Sequence, residues 1–210
     1  MAKIKDIHFF ESISIKTPLE RIYKRLKYEE TLTRLPAQQK NEFNRFVDDA
    51  MSLLTLKGSS LRLPIQEKDS LKVILGGGII FKSKLLATLL KNSEEILCMG
   101  LTAGSKIIDA IEDSQKNNLT RSVVFDAVAS EAVDACFPWV QDCFNQELNR
   151  EGKSLLLKRV SCGYGDFRLE YQKVMYNILE LKRLGIKITE KYILIPEKSV
   201  TAVTGIVGVR

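Results

Sequence analysis

The chain has 210 residues, 45% hydrophobic and 28% charged, the balance of a soluble globular protein long enough to bury one substantial core. Its net charge of +6 is uneven, because residues 1–28 hold seven Lys/Arg against three Asp/Glu and so carry four of the six surplus charges. With no apolar run near the roughly 20 residues of a membrane span, no signal-peptide block in MAKIKDIHFF, and neither zinc-finger spacing nor an aromatic-interleaved RNA motif, the expected protein is soluble and cytoplasmic, without membrane or nucleic-acid partners.

IHFFESISI (7–15) reads as a strand, and TPLERIYKRLKY (17–28) as a helix with Thr17 as N-cap and Pro18 at its first position. Lys16, Arg21, Lys24, Arg25 and Lys27 make this helix basic, which suits a solvated face or electrostatic steering toward an acidic partner. A second helix over about 36–56 starts at Pro36, carries Phe43, Phe46, Val47, Met51 and Leu54 on one stripe, and pairs with the first as a local hairpin. Residues 1–60 are expected as an N-terminal strand and helical segment packed on a main domain of 61–210.

From Ser59 to Phe81 the pattern turns to short strands, SLRLPI and LKVIL, with Gly76-Gly77-Gly78 as a hairpin turn. A helix over 83–92 leads to the buried strand EEILCMG (94–100), and a long helix follows over 120–149 with Val124, Ala127, Val128, Glu131 and Ala135 along one face. SLLLKRV (154–160) is a strand. LEYQKVMYNILELKRLG (169–185) is a helix with Tyr171, Val174, Met175 and Ile178 inward and Gly185 as its stop. IKITEKYILI and SVTAVTGIV close the chain as two strands joined around Pro196. Strands in hairpin-like succession, mixed with helices but without strict βαβ alternation, define an α+β class.

Most candidate motifs have bland readings. GLTAGSK (100–106) joins a strand to a helix, but it has three residues between its glycines and Ser105 before Lys106, so it is not a phosphate-binding P-loop. His8 is the only histidine, which leaves no triad and no multi-histidine metal site. The four cysteines form no CxxC, and Cys136 and Cys143 lie too far apart along a helix to bridge, so buried free thiols in a reducing compartment are expected. Glu131 and Asp134 share a helix face and form a solvated edge unless something cationic docks there.

RVSCGYGDFRLEYQ (159–172) is different. Arg159 at a strand end is a fork-shaped donor for a carboxylate, Gly163 and Gly165 allow close approach of backbone, and Tyr164 offers a flat face with a hydroxyl. Taken alone, these residues suit either a small zwitterionic or heteroaromatic ligand or a structural turn.

RVSCGY resembles the Arg-x-x-x-Gly-Tyr motif of the activation domain of vitamin B12-dependent methionine synthase, and GIKITEKYILIPEKSVTAVTGIVG resembles that family's downstream Leu-Thr-Glu-Ser…Pro-x-x-Ser-Val-Ser-Gly pattern. The similarity is most specific over about 155–205 and looser over about 90–150. It implies a C-shaped α+β domain, with a mixed and largely antiparallel sheet flanked by helices, that binds S-adenosylmethionine. By position, Arg159 binds the ligand carboxylate, Ser161 gives backbone contacts, Gly163 gives room, Tyr164 lies against the ligand, and Asp134 stands where the family has a glutamate, one methylene shorter.

The family's further acidic contact, near the start of its domain, has no identifiable counterpart. Nor does the chain carry the cobalamin-binding Asp-x-His-x-x-Gly signature. The implied role is a stand-alone S-adenosylmethionine-binding module. It supports reductive remethylation of cob(II)alamin on a separate cobalamin-dependent methionine synthase or related corrinoid protein, with a flavodoxin-like reductant. The alternative is a non-catalytic interaction protein that kept the fold and lost the ligand.

Overall fold

The computed structural model describes residues 7–28 and 36–209; the opening MAKIKD, with Lys3 and Lys5 of the basic stretch, and the connection over 29–35 lie outside the described residues. The element order is β1 (His8–Phe10), α1 (Leu19–Arg25), α2 (Ala37–Leu53), β2 (Lys57–Lys68), β3 (Lys72–Leu75), β4 (Ile79–Lys82), α3 (Lys84–Leu89), β5 (Glu95–Thr102), α4 (Lys106–Asn117), α5 (Leu119–Arg150), β6 (Lys153–Val160), α6 (Tyr171–Ile178), β7 (Lys187–Ile188), β8 (Leu194–Ile195) and β9 (Ser199–Gly208). A seven-stranded sheet runs β4-β3-β2-β5-β9-β6, with β1 added alongside β2, and β7 and β8 form a separate ribbon. Every one of these pairings is antiparallel, so the expected α+β class holds with a sheet that is less mixed than anticipated.

The period of two along β5 explains the layers. Leu97, Met99 and Leu101 point into a core shared with α2, α4 and α5, while Ile96 and Cys98 point into a second core shared with α3 and α6. A strand covered on both faces must be apolar throughout, which is why its sequence shows no alternation. On the first side α5 buries Phe125, Phe137 and Val140, each contributing about 1.5–3 kcal/mol. On the second, Phe81, Phe167 and Tyr171 pack ring against ring.

At the end of α5, Arg62 of β2 grips two carboxylates, Glu95 at 2.5 and 2.8 Å and Glu151 at 2.7 and 2.5 Å, while Lys153 of β6 reaches Glu95 at 2.5 Å. Hydrogen bonds from Arg62 hold the Glu151 carboxyl down to about 2. The network fastens the α5–β6 junction to the sheet and so fixes where β6 begins.

Several expectations change. The strand read over 7–15 shortens to β1, and α1 begins one residue late: Pro18 occupies its N-cap with no side-chain cap, and Thr17 supplies only a carbonyl to Leu19 N at 2.9 Å. α1 and α2 touch through the Tyr23 and Phe43 rings, yet both pack chiefly on α5. Leu54 falls just beyond α2. The helix read over 169–185 breaks at Glu180, whose φ is 47°, and resumes as a 3-10 turn over Leu181–Leu184 that ends at Gly185. IKITEKYILI is the β7–β8 ribbon and not one strand, because Tyr192 turns with a φ of 63° and Thr189 accepts from Ile193. Cys98, Cys136 and Cys162 are buried, but Cys143 is exposed.

Both glycine turns form as expected. Gly76–Gly78 turns the β3–β4 hairpin, with Leu75 opposite Ile79. GLTAGSK is a strand-to-helix turn whose Gly104, at a φ of 82°, sits so close to Thr55 that a Cβ would meet it at 2.9 Å. His8 lies edge-on to Phe144 with ring centroids 5.2 Å apart. The boundary expected at residue 60 falls inside β2. Among the described residues no helix is long and apolar enough to cross a membrane.

Candidate functional site

β6 is an edge strand with an irregular middle. Leu155 pairs with Ile206 and Arg159 with Thr204, so four steps along β6 match two along β9 and Leu156–Lys158 bulges outward. Gly205 stands opposite: a Cβ there would meet Ser93 Oγ at 2.1 Å and Leu156 Cδ1 at 2.8 Å, so only glycine admits the inward Leu156. The Thr204 hydroxyl lies 3.0 Å from the Leu156 carbonyl and 2.9 Å from that of Lys158, closing the bulge. Beyond it the strand resumes and delivers Arg159.

The turn after β6 is tightly tied. Gly163 N donates to Phe167 O at 2.7 Å and Phe167 N to Tyr164 O at 3.0 Å, with Gly163 at a φ of 92°. Phe167 anchors the loop in the core. Asp166 anchors it to α3: its carboxylate accepts from Ser83 Oγ at 2.7 Å, Lys84 N at 2.6 Å and Leu85 N at 3.0 Å. These bonds, the one from Ser83 foremost, hold the Asp166 carboxyl below the ordinary aspartate range. A depressed pKa stabilises the fold above the unfolded-state value and loses that contribution as pH falls through the folded one. Thermal melts of wild type and Asp166→Asn should therefore differ most near neutrality and converge as the pH falls below the ordinary aspartate range; a gap independent of pH would show that the carboxylate charge is immaterial.

Together these elements wall an open cleft of about 1320 Å³. Arg159, Ser161 and Tyr164 line it from β6 and the turn, Asp134 from α5, Glu197 from the segment before β9, and Ser199 and Val200 from the start of β9. Four of the five residues singled out in the sequence thus line one cleft. Gly163 is not among the lining residues; its φ of 92° favours glycine, and a Cβ there would meet nothing nearer than Leu169 Cδ1 at 3.5 Å.

Sequence reasoning missed three features of this site. Arg159 lies over the Phe137 ring, 4.5 Å from its centroid, which orients the guanidinium. Gln172 and Thr201, nearly inaccessible, join at 2.9 Å in the cleft wall. The edge formed by Glu131 and Asp134 is occupied by cations from the same chain: Arg25 bonds Glu131 at 2.6 Å, Arg21 bonds Asp134 at 3.0 Å, and Arg159 bonds the other Asp134 oxygen. Two of the basic residues read as a steering surface therefore face α5. Cys162 also lines the cleft, but burial pushes its thiol up to about 12, so it is no thiolate nucleophile at neutral pH.

What this geometry defines is a two-core α+β protein with an open, largely apolar cleft whose lining includes a guanidinium, a carboxylate and an exposed tyrosine ring. No protein-family model and no curated protein matches the chain. Among solved structures it is similar to the MetH reactivation domain, in a crystal structure with bound AdoHcy, with a TM-score of 0.66 and 13% identity over 97% of this chain and 79% of that one. At that identity the likeness establishes the fold, and the fold is the one implied by the Arg159–Tyr164 motif.

Proposed function

We propose that the protein is an S-adenosylmethionine-binding module that supports reductive remethylation of cob(II)alamin held outside these 210 residues, on a separate cobalamin-dependent methionine synthase or related corrinoid protein. The observation that carries this reading is the convergence of Arg159, Asp134, Ser161 and Tyr164 on one open cleft. Pockets for drug-sized ligands run to roughly 300–1,000 Å³, so the cleft has room for a nucleoside joined to an amino acid while staying open on one side. The residues fit such a ligand: Arg159 takes its carboxylate, the Tyr164 face its heteroaromatic ring, and the apolar wall the carbon chain that joins them. When bound, S-adenosylmethionine supplies the methyl group. The electron comes from a flavodoxin-like reductant, and the setting is cytoplasmic.

One observation favours the alternative, a non-catalytic interaction protein that kept the fold and lost the ligand: Arg159 and Asp134 already bond each other. Titration calorimetry of the wild type with S-adenosylmethionine and S-adenosylhomocysteine separates the two readings. Saturable heat with either ligand supports the module, and no heat leaves the interaction protein. A methyltransferase carrying cob(II)alamin, mixed with the protein, reductant and S-adenosylmethionine, should then show a change in its visible absorbance that depends on the protein.

A further inference from the structure

Arg21 comes from the part of the chain in which no motif resembles a known family, yet it reaches Asp134, one of the two acidic residues that line the cleft. Its Nη1 donates to Asp134 Oδ2 at 3.0 Å, while Asp134 Oδ1 accepts from Arg159. The contact spans 113 positions of sequence and is held from below by Ile22, which is fully buried against the core that α5 shares. Asp134 thus sits between two guanidinium groups, and the trio carries one net positive charge. The neighbouring pair, Arg25 with Glu131 at 2.6 Å, is balanced and adds none.

We propose that Arg21 is a specificity-determining residue: it fixes this part of the cleft as a subsite for a carboxylate and disfavours a second positive centre close to that carboxylate. The inference rests on the S-adenosylmethionine reading above and names the preference within it. With Asp134 already shared between two arginines, little of its charge remains to offset a sulfonium. A neutral thioether with the same amino-acid end, as in S-adenosylhomocysteine, meets the carboxylate donor without that repulsion. The wild type therefore binds S-adenosylhomocysteine more tightly than S-adenosylmethionine. Arg21 contributes to the difference by charge alone, because Arg159 and not Arg21 lines the cleft.

Calorimetry with both ligands on wild type, Arg21→Gln, Arg21→Lys and Arg25→Gln tests this. The Arg21 side chain is half exposed, so solvent screening keeps the effect modest. Arg21→Gln should move the ratio of the two Kd values toward S-adenosylmethionine by about 2- to 5-fold. Arg21→Lys, which keeps the charge, should keep the wild-type ratio, whereas Arg25→Gln should move it less than Arg21→Gln does, because Arg25 bonds Glu131, which does not line the cleft. If the wild type binds and Arg21→Gln leaves its ratio unmoved, or Arg25→Gln moves it as much, Arg21 has no specific role. If the wild type binds neither ligand, the ligand reading falls and this inference with it.

Discussion

Arg159→Ala should weaken S-adenosylmethionine binding by roughly 30- to 150-fold, the equivalent of about 2–3 kcal/mol for a charge-assisted, two-pronged contact with a carboxylate. The affinity loss should come with little loss of stability. Arg159 is only partly buried, and its removal leaves Asp134 still bonded to Arg21, so no carboxylate is stranded. What the fold loses is one part-exposed ion pair and the contact with the Phe137 ring, together about 1–2 kcal/mol. Affinity measured by calorimetry and melting temperature measured on the same samples should therefore separate. Equal affinity in the variant would remove Arg159 from the ligand site, and a collapse in melting temperature would make it a structural residue.

Phe167→Ala should behave in the opposite way. This ring is fully buried, 5.3 Å and nearly perpendicular to Phe81, and 5.4 Å and nearly parallel to Tyr171. Emptying that position should cost about 3–5 kcal/mol. For a chain of this size that lowers the melting temperature by roughly 6–20 °C. The backbone of Phe167 is also bonded to both Gly163 and Tyr164, so the damage spreads into the turn at the cleft. Ligand affinity should fall with stability, and Phe167→Leu, which refills most of the volume, should recover much of both. An alanine variant that melts within about 2 °C of wild type would mean that the turn is held from elsewhere.

Much of the architecture was legible from local pattern. The long helix expected over 120–149 is α5, the strand expected over 154–160 is β6, and Gly76–Gly78 turns a hairpin, because in each case hydrophobic period and turn chemistry agree with the tertiary outcome. The motif residues that converge on the cleft were legible as well. What was not legible depends on pairings far apart in sequence. Glu131 and Asp134 look like a solvated edge until α1 docks Arg21 and Arg25 on them, across more than a hundred residues. The break at Glu180 is invisible in a run of good helix formers. It arises because the chain must turn where Leu181 and Leu184 enter the second core. The cap at Thr17 failed because Pro18 itself takes the position before the helix.

The bulge in β6 also bears on how copies of the protein meet one another. β6 closes one end of the sheet, and an uncovered terminal strand is a template onto which a second chain can add its own. Here the ladder-forming geometry is interrupted at Leu156–Lys158, leaving only short regular runs on either side, while Leu157 stands 97% exposed at the point of interruption. Lys158, exposed beside it, adds a charge to the same edge. A strand distorted to aim Arg159 into a cleft is, by the same distortion, a poor seed for edge-to-edge aggregation.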